Sequence, residues 1–425
     1  MSDSANVPAE GKHDPYGVLR NRDLRFYFSA RLIGIIGQQM FFTALGWEIY
    51  DRTGSALLLG FVGLSFVIPM ILCTLLAGHF ADIYNRKRII VIATLIMAGA
   101  NVDLAVISAT QSPVYLIFPC LIVIGAARTF LAAASASFLP QLVERKELSR
   151  AVNWSATIFQ ASSIIGPLVG GKLLHLTDRA APVYALNAVA AITCAFLVSR
   201  LRIHHVPVIP EKMSVKTLLT GFDFVFANRI ILGIILLDML AVLLGGATAL
   251  LPVFAKEILK VEADGLGMLQ AALPMGASLC SFVLAHRAPM QNAGRSLLLA
   301  VTVFGLATVG FGLSHWFWLS FAMLFACGAA DNVSVVVRHT LVQLLTPDEK
   351  RGRVSAVNNL FIGTSNEMGE FESGTVAHWF GPALGNTIAF GAMASVVSGG
   401  IGTILVVFGI AWFWPEIRKY GRLDA

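Results

Sequence analysis

The sequence predicts an all-α membrane protein of twelve transmembrane helices in two pseudo-symmetric six-helix halves, with both termini cytoplasmic. Three observations carry this. Of 425 residues, 56% are hydrophobic and only 13% charged, with a mean hydropathy of +0.74, outside the balance of a soluble domain. Twelve apolar runs are each long enough to cross about 30 Å of hydrocarbon. Finally, a constant shift of 205 residues lays features of the second half on the first.

Residues 1–25 mix Lys12, Arg20, Arg22 and Arg25 with Glu10, Asp14 and Asp23. They lack the apolar region and small-residue cleavage site of a secretory leader, so they read as a retained cytoplasmic tail. The first half, 26–199, holds spans at 26–50, 57–80, 89–109, 114–138, 153–176 and 182–199. The longest polar interval, 200–229, contains VPVIP and an amphipathic stretch at 215–226, and reads as a cytoplasmic linker. The second half, 230–414, holds spans at 230–254, 265–285, 296–314, 316–341, 354–377 and 384–414, and residues 415–425 form a second cytoplasmic tail.

Orientation follows from the basic residues, because Lys and Arg near span ends are retained in the cytoplasm. With both termini inside, 23 of the 31 Lys and Arg lie on the cytoplasmic side, five at or beyond the opposite span ends, and Arg31, Arg128 and Arg338 deeper within spans. All seven Trp fall at span ends, where an amphipathic ring prefers the interface. The net charge of +6 is thus explained by the bias of the loops, and no nucleic-acid partner is called for.

The repeat places Ala44-Leu45 on Ala249-Leu250, Gly60 on Gly265, Pro69 on Pro274 and Ala151-Val152-Asn153 on Ala356-Val357-Asn358. Two parallel six-helix halves are the architecture of a large transporter class with its site between the halves near the midplane.

Other chemistries find little support. The five cysteines fall inside apolar spans at unrelated spacings, which suits packing rather than disulfides or metal. There is no HExxH and no nucleophile elbow, and His204 and His205 have no third ligand nearby, so neither an integral-membrane enzyme nor a metal or cofactor site is expected. Gly166 to Lys172 nearly spells a phosphate-binding loop, but Leu173 replaces the Ser/Thr and no strand precedes it, which excludes a nucleotide site.

The loop after the second span, GHFADIYNRKR at 78–88, is similar to the signature between helices 2 and 3 of the major facilitator superfamily. The resemblance implies that Gly78 permits close helix approach and that Asp82 and Arg86 form an inter-half latch. The mirrored loop, HRAPMQNAGR at 286–295, has no acid, so the latch would be one-sided. In span five, Gly166, Pro167, Gly170 and Gly171 (GPLVGG) resemble the core of that superfamily's antiporter motif, although Ser162 and Asn153 stand where its upstream glycines belong. DRTGSALLLG, LLPVFAKEIL, CGAADNVSVVVRHTLVQLLTPDEKRGRVSAVN and FIGTSNEMGEFESG resemble its enterobactin-exporter-like branch. This likeness, running from about Tyr16 to the last span, implies proton-driven efflux of a siderophore or related amphipathic molecule.

A charge near the bilayer centre costs several kcal/mol unless it meets a cavity or a partner. Counted from the cytoplasmic span ends at 1.5 Å per residue, Arg128 lies at roughly 15 Å, Gln38 and Asp331 at roughly 18, Asp103 and Glu367 at roughly 20, and Glu370 at roughly 24. Low dielectric favours a neutral carboxyl and a nearby guanidinium favours the carboxylate, so relative movement of the two can load or release a proton. The resemblance also gives Arg128 the place of the span-four arginine tied to coupling, without the usual glycine after it. Glu367 and Glu370, three apart, share a helix face; alternatively they cap a broken helix or bond a neighbouring backbone. Arg128, Glu367, Glu370, Asp331 and Asp103 at similar depth suit a proton-coupled site; Asp331 and Arg338, seven apart, suit either an intrahelical relay or direct substrate contact, and Asp103 a packing salt bridge to Arg128. Gln38, Gln39 and Asn366 offer polar contacts to cargo, and Asp238 and Arg31 are candidates for the inner vestibule.

The expectation is a proton-coupled exporter, acting as a monomer in the bacterial cytoplasmic (inner) membrane by alternating access. An importer, a lipid carrier, a broad drug-efflux pump or a non-transporting sensor would share the same fold.

Overall fold

Helix ends fall where capping side chains and glycines stand. In a computed structural model, described at residues 17–136, 138–144, 147–202, 215–287 and 290–421, Asn21 accepts from the Asp23 amide to start α1, Arg22–Thr53, and Gly54, at φ +60°, ends it. Ser55 caps α2, Ala56–Ile83, and Asn85 caps α3, Arg86–Ala109. The half is completed by α4, Ile117–Ala136, α5, Leu148–Thr177, and α6, Ala181–Ser199. The linker stretch forms α7, Val215–Ala227; His204, His205 and VPVIP lie outside the described residues.

The second half begins with α8, Arg229–Leu244. The sequence predicted a single span to residue 254, but the helix stops at Gly245-Gly246 and continues as a 3-10 turn, Ala247–Leu250, the short α9, Leu251–Val253, and a π turn, Phe254–Ile258. Two glycines and Pro252 weaken the ladder there. Then follow α10, Ala263–Ala285, α11, Ala293–Gly312, α12, Phe317–Leu345, α13, Arg351–Phe380, α14, Ile388–Phe413, and the short α15, Pro415–Lys419. The acidic stretch 366–374 lies inside an unbroken α13, which removes the broken-helix alternative.

Among the described residues every regular element is helical, and ten segments are long and apolar enough to cross a membrane. The two other long helices, α5 and α13, have 30 residues each and carry more polar side chains; they are also equivalent members of the two halves.

The packing repeats as the sequence does. In the first half α1 packs on α5 and α6, α2 on α4, and α3 on α4 and α6; in the second, α8 packs on α13 and α14, α10 on α12, and α11 on α12 and α14. The seams between halves obey the same exchange: α2 against α13, α10 against α5. Both seams need glycine. A side-chain carbon on Gly374 of α13 would meet the Gly60 backbone of α2 at 2.7 Å, and one on Gly267 of α10 would meet Gly171 of α5 at 3.2 Å.

At the end carrying the α1–α2 turn, one buried apolar cluster draws residues from both halves, including Leu45, Leu59, Tyr184, Phe254, Leu266 and Phe311. At the opposite end the core divides into a first-half cluster around Leu24 and Phe138 and second-half clusters around Leu297 and Val354. The halves are thus sealed by apolar packing at the α1–α2 end. Large side chains such as Leu72, Leu405 and Phe408 are exposed on helices, as expected where hydrocarbon is the solvent.

Candidate functional site

Midway along the bundle, between the halves, lies a cavity of about 540 Å3. Its wall includes Gln39 of α1, Arg128 of α4, Pro167 of α5, and Asn366, Glu367 and Glu370 of α13. The Arg128 and Glu367 side chains form an ion pair across the interface at 3.9 Å. Arg128 also lies over the rings of Phe42 and Phe66, 5.1 and 5.3 Å from their centroids, so its position is fixed by α1 and α2 as well. A side-chain carbon at Gly63 of α2 would stand 2.9 Å from Glu370 Cβ, and glycine there lets α2 reach the acids.

Three cavity groups were not singled out from the sequence. Gln270 of α10 accepts a hydrogen bond from Thr43 of α1 at 2.5 Å, a second polar link between halves. Gln39 donates to Ser163 of α5 at 3.3 Å, and Gln160 lies on the same wall. The available signal was an amide or hydroxyl within an apolar span.

Other expected residues stand apart. Asp238 and Arg338 are both buried and paired with each other across α8 and α12. This corrects the expectations for both: Asp238 lines no inner vestibule, and Arg338 neither relays to Asp331 nor reaches the central cavity to meet cargo. The reason is mutual cost, since each charge buried alone in hydrocarbon is more expensive than the pair. Asp331 borders a small void beside Asp238 and Phe304, inside the second half rather than on the central cavity. Asp103 is exposed and lines neither large polar cavity; it projects from the side of α3 opposite Asn101, near Cys120 of α4. Its expected salt bridge to Arg128 is likewise corrected, because Arg128 meets Glu367 instead. Gln38 and Arg31 face a different chamber, within the first half.

Gly78 and Asp82 end α2, and Arg86 begins α3, donating from Nε to the Ala81 carbonyl at 3.2 Å. In the antiporter-like stretch, Gly166 packs on Ile36 and Gln39 and Gly170 on Met40, all of α1, while Gly171 faces α10 across the seam. At the α1–α2 end, polar bridges join the halves: Asp51 to Lys256, His175 to Glu262, and the Tyr50 hydroxyl to Glu257 at 2.9 Å.

The family model of the Major Facilitator Superfamily matches residues 27–367. The chain belongs to that superfamily. The chain is a multi-pass membrane transporter rather than an enzyme. Curated relatives named enterobactin exporter EntS, from Shigella boydii serotype 4 and Escherichia coli O1:K1, are 26% identical over 403 residues, covering 93% of this chain and 92% of each relative. Among solved structures, a bacterial homologue of the human lysosomal transporter Spinster, inward-facing and occupied, aligns with TM-score 0.74 at 14% identity, covering 96% of this chain and 99% of that one. The nucleoside transporter NupG aligns with TM-score 0.70 at 14% identity, covering 94% and 100%. These two share the chain's fold.

Proposed function

We propose that the chain is a proton-coupled exporter of a small amphipathic molecule, a siderophore, acting as a monomer by rocker-switch alternating access. In this reading twelve spans, α5 and α13 included, cross the bacterial cytoplasmic (inner) membrane with both termini inside. The observation that carries it is the Arg128–Glu367 pair, which ties one half to the other on the wall of the central cavity.

The chemistry follows from that placement. With the α1–α2 end sealed, the cavity faces the α2–α3 end, where Arg86, Lys87 and Arg88 favour the cytoplasm. Ionised Glu367 holds Arg128, and cargo is admitted from the cytoplasm. After the halves rock, a proton from outside neutralises Glu367 and releases Arg128, and its return to the cytoplasm restores the pair. Glu370, one turn along, shares or relays that proton. Gln39, Asn366 and Gln270 supply hydrogen bonds to cargo. Gly78, Asp82 and Arg86 hold the cytoplasmic end shut in the other state, and Gly166 to Gly171 keep α5 thin enough to slide on α1 and α10. The names of the curated relatives support the cargo class.

Everted membrane vesicles test this. Siderophore uptake is expected to follow the imposed proton gradient and to lose that dependence when Glu367→Gln and Glu370→Gln are combined. Uptake indifferent to the gradient, or coupling intact in the double variant, would overturn the assignment.

A further inference from the structure

The first half encloses a second chamber, of about 370 Å3, walled by α1, α3, α4, α5 and α6. It adjoins the central cavity at Arg128 and Phe159, which line both. Its charged lining is two guanidiniums, Arg31 and Arg128, with no carboxylate among the described wall residues. The neutral polar groups are largely committed elsewhere: Asn187 Nδ2 donates to Asn101 Oδ1 at 2.9 Å, and Asn101 donates to the Met97 carbonyl at 2.7 Å.

Arg31 differs from the other two arginines within the spans. Arg128 has Glu367 and Arg338 has Asp238, but Arg31 makes no ion pair among the described residues: its side-chain partner is the neutral Tyr27 hydroxyl, and its Nε is buried without a hydrogen-bond partner. A guanidinium held this way in a membrane protein is costly unless an anion or solvent reaches it. The chamber also offers the half-exposed ring of Phe159, where it meets the central cavity, while Tyr27, packed on Phe28 and Phe138, backs Arg31.

We propose that this chamber is an anion subsite, which takes a carboxylate or phenolate borne on an aromatic ring, the anion on Arg31 and the ring against Phe159. It rests on the exporter reading only in calling the occupant a part of the cargo. The chamber deepens the central cavity sideways, so cargo spans both, its acidic end in the first half and its remainder against Gln39 and α13. A guanidinium is suited to the task because its planar fork matches a carboxylate.

The test is binding to the purified full-length chain in detergent, with 2-hydroxybenzoate as probe and uncharged 2-hydroxybenzamide as control, followed by titration calorimetry. The acid is expected to bind more tightly than the amide, Arg31→Gln to weaken acid binding by roughly 10- to 100-fold, and Arg31→Lys to keep part of it. Inorganic phosphate should not displace the acid. Equal affinity for acid and amide, no change in Arg31→Gln, or displacement by phosphate alone would overturn the proposal.

A second measurement needs no variant. Cys194 lines the chamber, whereas Cys73 and Cys280 lie outside it. Maleimide labelling of Cys194, followed by peptide mass spectrometry, should be slowed by the acid and not by the amide, with Cys73 and Cys280 unaffected. Equal labelling of Cys194 under both would refute the site. Loss of proton coupling with this discrimination intact would sink the exporter reading alone; export without discrimination would sink the subsite alone.

Discussion

Asp51 and Lys256 stand 205 residues apart, at equivalent places in the two repeats, and meet as an ion pair between the halves. Equivalent residues can touch only close to the pseudo-two-fold axis, so this pair marks where the axis leaves the bundle at the α1–α2 end. Both side chains are at least a third exposed, so the pair adds only about 0–1 kcal/mol, and its value lies in location. With Asp51→Cys and Lys256→Cys combined, mild oxidation is expected to lock that end and stop cargo movement in vesicles, and a reducing agent to restore it. Undiminished transport by the fully cross-linked protein would count against rocking at this end.

The glycine seams predict steric sensitivity without chemistry. Gly374→Val should force α13 off α2, at about 1–3 kcal/mol for an overpacked contact, and lower the Tm of the purified protein. Gly99→Val is the control, because a side-chain carbon there meets nothing within 4 Å. Equal melting of the two variants would contradict the seam.

The buried Asp238–Arg338 pair predicts an asymmetry between single and double replacement. Arg338→Met strands a buried carboxylate and should cost about 3–5 kcal/mol, whereas adding Asp238→Leu should recover most of the loss. Thermal unfolding reads this directly, and a double variant no more stable than the single would mean the two residues do not depend on each other.

Arg128 and Asp103 predict opposite outcomes at similar depth. Arg128→Lys keeps the charge but loses the planar group that lies over Phe42 and Phe66, so proton-coupled transport should fall roughly tenfold. Asp103→Asn should leave coupling unchanged, because its carboxylate reaches neither large cavity. Vesicle transport at several proton gradients separates the two.

The sequence made the architecture legible because hydropathy and period report burial directly. The offset that aligned Pro69 with Pro274 reappears as two prolines inside α2 and α10 and as the same pattern of neighbours in each half. The site was legible only in part. Depth along a helix is a count of residues, which placed Arg128, Glu367 and Glu370 in one layer, where the structure brings them to one cavity. Direction around the helix and partner choice depend on three-dimensional packing. Thus Asp331 and Asp103, at the same depth, face elsewhere, and Asp238, assigned to a vestibule, is taken by Arg338. Gln270 was passed over because a neutral amide carries none of the cost that draws attention to a charge.

The linker helix α7 lies on α13, with Phe222 edge-on to Phe361 and Lys350 over the Phe224 ring. That same rod carries Glu367 and Glu370, beginning about 9 Å further along its axis from Phe361. A pull applied to α7 would therefore travel down one stiff lever to the acids, and whatever grips this helix holds a handle on the wall of the central cavity.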